Sequence, residues 1–159
     1  MSNVIHDDSL DSVDKEMLRL LQADGNLSSA SLGERLSLST TPCWRRRKRL
    51  EELGFIKDYQ ANLDRRKLGY NVIAFAFVRF GDQSGEAPER FEKLMTSLPE
   101  VLTCHEIAGE ADYLLTVLAS DLESYGRFID SAVRRQPGVV SIQSSLSLRE
   151  IKSATRIPI

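Results

Sequence analysis

The chain has 159 residues, 42% hydrophobic and 28% charged, with a formal net charge of −2. This is an ordinary globular composition, enough for one domain or two small ones. No apolar run approaches the roughly 20 residues of a membrane-spanning helix, and two cysteines cannot build a disulfide framework. The near-neutral total conceals a local excess, because residues 35–67 hold 10 basic against 4 acidic side chains and favour a polyanionic partner for that stretch alone. MSNVIHDDSLDS lacks the basic end and apolar core of a signal peptide, and Cys43 and Cys104 suit a reducing compartment, so a cytoplasmic protein is expected.

DSVDKEMLRLLQAD (11–24) places Val13, Met17, Leu20 and Leu21 on one face of a helix capped by Asp11 or Ser12, and Asp24-Gly25-Asn26 stops it. SSASLGERL (28–36) predicts a second helix with Leu32 and Leu36 inward, started by Ser28 or by Ser31-x-x-Glu34. LSLS (36–39) is a turn. The third helix spans about 40–53 in STTPCWRRRKRLEELG, with hydroxyls and Pro42 at its start and Gly54 at its end. Three short helices, the last two joined tightly, resemble a helix-turn-helix over residues 10–61. Phe55–Lys57 and Tyr59–Ala61 read as short extended pieces, a wing or exit strand, and NLDRRKLGY (62–70) reads as a linker.

The period then changes. NVIAFAFVRF (71–80), VLTCHEIAG (101–109), DYLLTVLA (112–119) and VVSIQSSLSLREI (139–151) read as strands. Between them lie a helix opened by Pro88 with Phe91, Leu94, Met95 and Leu98 inward, and a helix capped by Asp121. The order β-α-β-β-α-β over residues 71–151 is ferredoxin-like, so the fold class is α+β. The first strand is apolar on both faces, which implies self-association across the face its helices leave bare.

On the third helix, periodicity turns Cys43, Leu50 and Leu53 inward and Thr41, Pro42, Arg45, Arg46 and Arg49 outward. Arginine offers bidentate donors to guanine and phosphate, and threonine methyls suit thymine. A basic run alone is usually a solvated face, but on the third helix of a helix-turn-helix double-stranded DNA is the better reading. Arg47 falls at an apolar position and is expected to snorkel; Trp44 is expected in the core. Cys104 and His105 point to opposite faces of a strand, so no metal is expected, and neither a nucleophile constellation nor a phosphate loop indicates catalysis or a cofactor. GEADY (109–113) sets Glu110 and Asp112 around a turn. It is either turn chemistry alone or a small amphoteric ligand site, a carboxylate meeting the ligand's ammonium and turn N–H groups its carboxylate.

LDSVDKEMLRLLQADGNLS and LSLSTTPCWRRRKRLEELGFI resemble the N-terminal hallmarks of the Lrp/AsnC (feast/famine) regulators; HEIAGEADYLL and QPGVVSIQSSLSLREIK resemble segments of their second domain. The resemblance covers nearly the whole chain. It implies a winged helix-turn-helix followed by a ferredoxin-like (RAM/ACT-like) domain, in a bacterial or archaeal, nucleoid-associated transcriptional regulator. It also implies an amino-acid effector and assembly to homodimers or higher oligomers such as octamers. The DNA-contacting set expected is Ser39, Thr40, Thr41, Pro42, Arg45, Arg46 and Arg49. The effector set is Gly109, Glu110, Asp112 and Tyr113 in the turn, with Ser144 and Ser145 in the last strand, where a neighbouring subunit helps close the site. Arg47 departs from the aliphatic usual in that family, and Ala111-Asp112 from an aromatic-Asp pair. An architectural protein that wraps DNA without small-molecule control is the competing reading.

Overall fold

The computed structural model describes residues 10–81, 85–153 and 156–159. The chain divides into two compact units, one formed by residues up to Asn62 together with Ser153–Ile159, the other by Leu63–Lys152.

The first unit holds α1 (Ser12–Ala23), α2 (Ser29–Leu36) and α3 (Thr40–Glu52). Asp11 caps α1 in a reciprocal box: its side chain accepts from the Asp14 N–H, and the Asp14 carboxylate accepts from the Asp11 N–H. Ser28 caps α2 by accepting from the Ser31 N–H at 3.1 Å. The helix-turn-helix corner needs Gly33, since a Cβ there would lie 2.6 Å from the Leu38 carbonyl oxygen. Met17, Leu18, Leu21, Leu27, Leu32, Cys43 and Leu50 make the core. Leu18 rather than Val13 completes the buried face of α1, and Leu53 is 39% exposed because α3 offers only the narrow Cys43–Leu50 stripe. Residues 55–61 form no strand, so the wing or exit strand expected there is not a sheet element. The C-terminal tail closes on α1: the Gln22 amide exchanges two hydrogen bonds with the Ile157 backbone (2.6 and 3.1 Å), and Arg19 Nε donates to the Ile159 oxygen at 2.8 Å.

The second unit carries β1 (Val72–Phe80), α4 (Ala87–Ser97), β2 (Val101–Glu106), β3 (Tyr113–Ala119), α5 (Leu122–Phe128) continued by a π-helical turn (Ile129–Val133), and β4 (Val139–Leu146). The sheet order is β2-β3-β1-β4, every pairing antiparallel, as the ferredoxin-like expectation requires. Ala74, Ala76, Val78 and Phe80 face the helices and pack with Phe91, Met95, Tyr113, Leu115, Val117 and Val133. Ile73, Phe75 and Phe77 point the other way, registered with Leu118, Thr116 and Leu114 of β3. Two strands are shorter than expected. β4 stops at Leu146 because its partner β1 begins at Val72: the last bond between them runs from the Ser147 N–H to the Ile73 carbonyl, and residues 148–151 lie beyond the start of β1. β2 stops at Glu106, opposite the first residue of β3.

Candidate functional site

Two surfaces carry chemistry, one in each unit. On α3, Ser39, Thr40, Thr41 and Pro42 form an exposed first turn. Ser39 occupies the N-cap position without a side-chain cap bond, so the positive end of the helix is open to an anion. Arg45 is exposed one turn further on. Lys48 lies beside it, its ammonium 5.3 Å from the Trp44 ring centroid and 3.6 Å from Glu52. Trp44 itself is 50% exposed rather than in the core, because the inward stripe of α3 is already filled by Cys43 and Leu50.

Arg46 and Arg49 behave differently from Arg45. Asp14 of α1 is only 1% exposed, and both arginines converge on it: Arg46 Nη1 donates to Asp14 Oδ1 at 2.8 Å and Arg49 Nη1 to Asp14 Oδ2 at 3.1 Å. Arg46 also reaches Asp11 at 2.5 Å. A carboxylate withdrawn from water needs charged donors, so these two cations fasten α3 to α1 before they can serve a ligand. The Asp14 backbone N–H and then the Arg46 guanidinium hold the Asp11 carboxyl below its ordinary range. Arg47 does not snorkel to solvent. Its Nη1 donates to the Leu27 carbonyl at 2.9 Å, its Nε to Tyr59 Oη and Glu51, and its guanidinium lies 4.7 Å from the Tyr59 ring centroid, stapling α3 to the α1–α2 turn and to the exit segment.

Arg45→Ala should leave the melting temperature within experimental scatter while weakening DNA binding; a lost phosphate contact lowers the slope of log affinity against log salt by about 1, and a lost base contact costs about 1–3 kcal/mol and relaxes specificity. Fluorescence anisotropy at two salt concentrations reads both.

In the second unit the β2–β3 connection is pinned to β1. The Ile107 N–H donates to the Asp112 carbonyl (2.8 Å), the Asp112 N–H to the Val78 carbonyl (2.9 Å), and the Phe80 N–H to Asp112 Oδ2 (2.6 Å). The β1–β4 register shifts between Arg79 and Phe80, and the Asp112 carboxylate supplies the acceptor for the Phe80 N–H there. Gly109 sits at φ +154°, a conformation that disfavours any side chain. Beside this turn, on the sheet face not covered by helices, is an open hollow of about 680 Å³. Phe77, Ile107 and Ala111 contribute apolar surface to it, and Glu110, Arg79, Ser141 and Gln143 contribute polar groups.

The hollow therefore takes in Glu110 but not the rest of the expected effector set. Asp112 is engaged with the backbone of β1. Tyr113 is buried on the helix side, in ring contact with Phe80 and Phe91, and its hydroxyl donates to Glu92 at 2.7 Å; burial, with Glu92 beside it, pushes its pKa up. Ser144 faces the helices and accepts from the Tyr125 hydroxyl at 2.6 Å, whereas Ser145 faces the bare side opposite Phe75. Arg79, Ser141 and Gln143 were not singled out by the sequence; the cross-strand pairs Arg79–Ser141 and Phe77–Gln143 become visible only with the register. Among the described residues no His/Cys/Asp/Glu cluster has the form of a metal site, and no helix is long and apolar enough to cross a membrane.

A model of winged helix-turn-helix DNA-binding domains matches residues 10–57, and a model of the Lrp/AsnC ligand binding domain matches residues 73–157. The chain is 40% identical over 150 residues to the DNA-binding transcriptional activator DecR of Escherichia coli K12, covering 94% of this chain and 99% of that protein. It is 36% identical to the Bkd operon transcriptional regulator of Pseudomonas aeruginosa, over 94% of this chain and 98% of the relative. A transcriptional regulator of Neisseria meningitidis, solved as a complex with L-Met, superposes with a TM-score of 0.89 at 36% identity, covering 94% of this chain and 96% of the other. With both domains matched in order along nearly its whole length, the chain belongs to the Lrp/AsnC family of DNA-binding transcriptional regulators.

Proposed function

We propose that this regulator binds double-stranded DNA through the outer face of α3 and that a free amino acid, held in the hollow beside the 107–112 turn, tunes that binding or the protein's assembly. The carrying observation is the hollow itself: apolar surface from Phe77, Ile107 and Ala111 beside the Glu110 carboxylate, in a domain of the ligand-binding type. A carboxylate receives an ammonium group and apolar surface receives an aliphatic side chain, which together describe an amino acid. The relative solved with L-Met supports the same class of ligand. A thermal-shift screen of the twenty L-amino acids tests the reading. A ligand at 100 times its Kd stabilises the protein by about 2.7 kcal/mol, so one or a few amino acids should raise the melting temperature and the rest should not. A flat response across all twenty would leave an architectural DNA-binding protein as the reading to adopt.

Self-association through the bare sheet face belongs to the same proposal. Ile73, Phe75, Phe77, Leu114 and Leu118 share that face, half-buried in the single chain, and a second copy packed on it would remove the rest of their apolar surface from water. The full chain should sediment as a dimer or larger species at micromolar concentration, and Phe75→Lys, which sets a charge in the middle of the face, should shift it toward monomer. A monomeric wild-type protein would contradict the assignment.

A further inference from the structure

Arg79 is the cation among the residues lining the hollow, and none of the described residues around it pairs with it. It closes β1 on the bare face, opposite Ser141 and next to the register shift at Phe80. It is exposed and forms no ion pair or hydrogen bond with any described residue, Glu110 included, although both line the same hollow. The hydrogen bonds from the Ile107, Asp112 and Phe80 N–H groups tie the turn that carries Glu110 to the strand that carries Arg79. Two opposite charges are thus presented to one hollow by hydrogen-bonded elements without pairing with one another. A zwitterion satisfies both.

Resting on the amino-acid reading of this hollow, we infer that Arg79 anchors the ligand's α-carboxylate, making the site selective for free α-amino acids over their amides, esters and decarboxylated amines. Guanidinium binds carboxylate through two parallel N–H donors, a geometry that an amide oxygen cannot match and an amine lacks altogether. With the carboxylate on Arg79 and the ammonium on Glu110, the side chain is left to Phe77, Ile107 and Ala111, so the discriminating contact for the backbone of the ligand is a strand residue and not the turn N–H groups alone.

The test uses the full-length protein and calorimetric titration with each L-amino acid that raises its melting temperature, with the corresponding α-amide, and with the decarboxylated amine. Wild-type protein should bind the acid at least roughly tenfold more tightly than the amide or the amine. Arg79→Met should lose roughly tenfold to a hundredfold in affinity for the acid and bind acid and amide alike, and Arg79→Lys should recover part of the difference. Arg79 is solvent-exposed, so an unchanged melting temperature without ligand shows that each variant is folded. If amino acids bind but Arg79→Met keeps the wild-type preference for the acid, Arg79 is not the anchor while the amino-acid reading stands. If no amino acid binds wild-type protein, the reading of the hollow falls and this inference falls with it.

Discussion

Arg46→Ala should destabilise the N-terminal domain by about 2–4 kcal/mol, whatever it does to DNA affinity. Removing one partner of a buried ion pair costs about 3–5 kcal/mol because the other charge is stranded. The figure is discounted here, since Asp14 keeps Arg49 and the Arg46 side chain is about one-third exposed at 32%. For a domain of this size that loss lowers the melting temperature by roughly 8–32 °C. Arg45→Ala removes the same charge one residue earlier and should change stability by no more than about 0.5 kcal/mol. Circular dichroism melts of the two variants separate the roles. Equal melting temperatures would show that the Asp11–Asp14–Arg46–Arg49 cluster is not what fastens α3. Acid should erode the same cluster. The Asp11 carboxyl titrates below its unfolded value of about 3.9, so its contribution is fully present above that pH and is lost as pH falls through the lowered folded value.

Asp112→Ala should cost the second domain about 2–3 kcal/mol and weaken the effector response with it. Its carboxylate is the acceptor for the Phe80 N–H at the β1 irregularity, a charge-assisted bond worth about 1.5–3 kcal/mol, and deletion leaves a donor on a buried residue unsatisfied. The turn that carries Glu110 is held partly by this bond, so ligand affinity and stability should fall together. Asp112→Asn keeps an oxygen acceptor and should lose about half as much. Melting curves and ligand titrations on the same preparations decide the point. Wild-type stability with an abolished ligand response would make Asp112 a direct ligand contact instead.

The contrast between Asp112 and Arg79 shows where the sequence was legible. Periodicity and turn chemistry were enough for the three helices, the β-α-β-β-α-β order and the two-faced apolar character of β1, because each depends on residues near one another in the chain. They also located the 109–113 turn. They did not tell which of its carboxylates looks outward, since that depends on Phe80, 32 residues away. Nor could helical spacing separate Arg45 from Arg46 and Arg49, because long side chains at the edge of a face are claimed by whatever lies across from them. The available signal was Asp14: a carboxylate between Val13 and Met17, on the apolar side of α1, calls for a cation, and α3 carries five in succession. Arg47 follows the same logic toward the Leu27 carbonyl and Tyr59. The return of the C-terminal tail to Gln22 spans 135 residues and has no local signature.

The most direct test of the whole account is the affinity of the full-length protein for a duplex selected from a random pool, measured by anisotropy with and without each amino acid, for wild type and Glu110→Gln. The account predicts that at least one amino acid shifts the wild-type Kd, and that Glu110→Gln binds the duplex normally without ligand but responds to that amino acid at least roughly tenfold more weakly. A DNA affinity indifferent to every amino acid, or a response in Glu110→Gln identical to wild type, would contradict it.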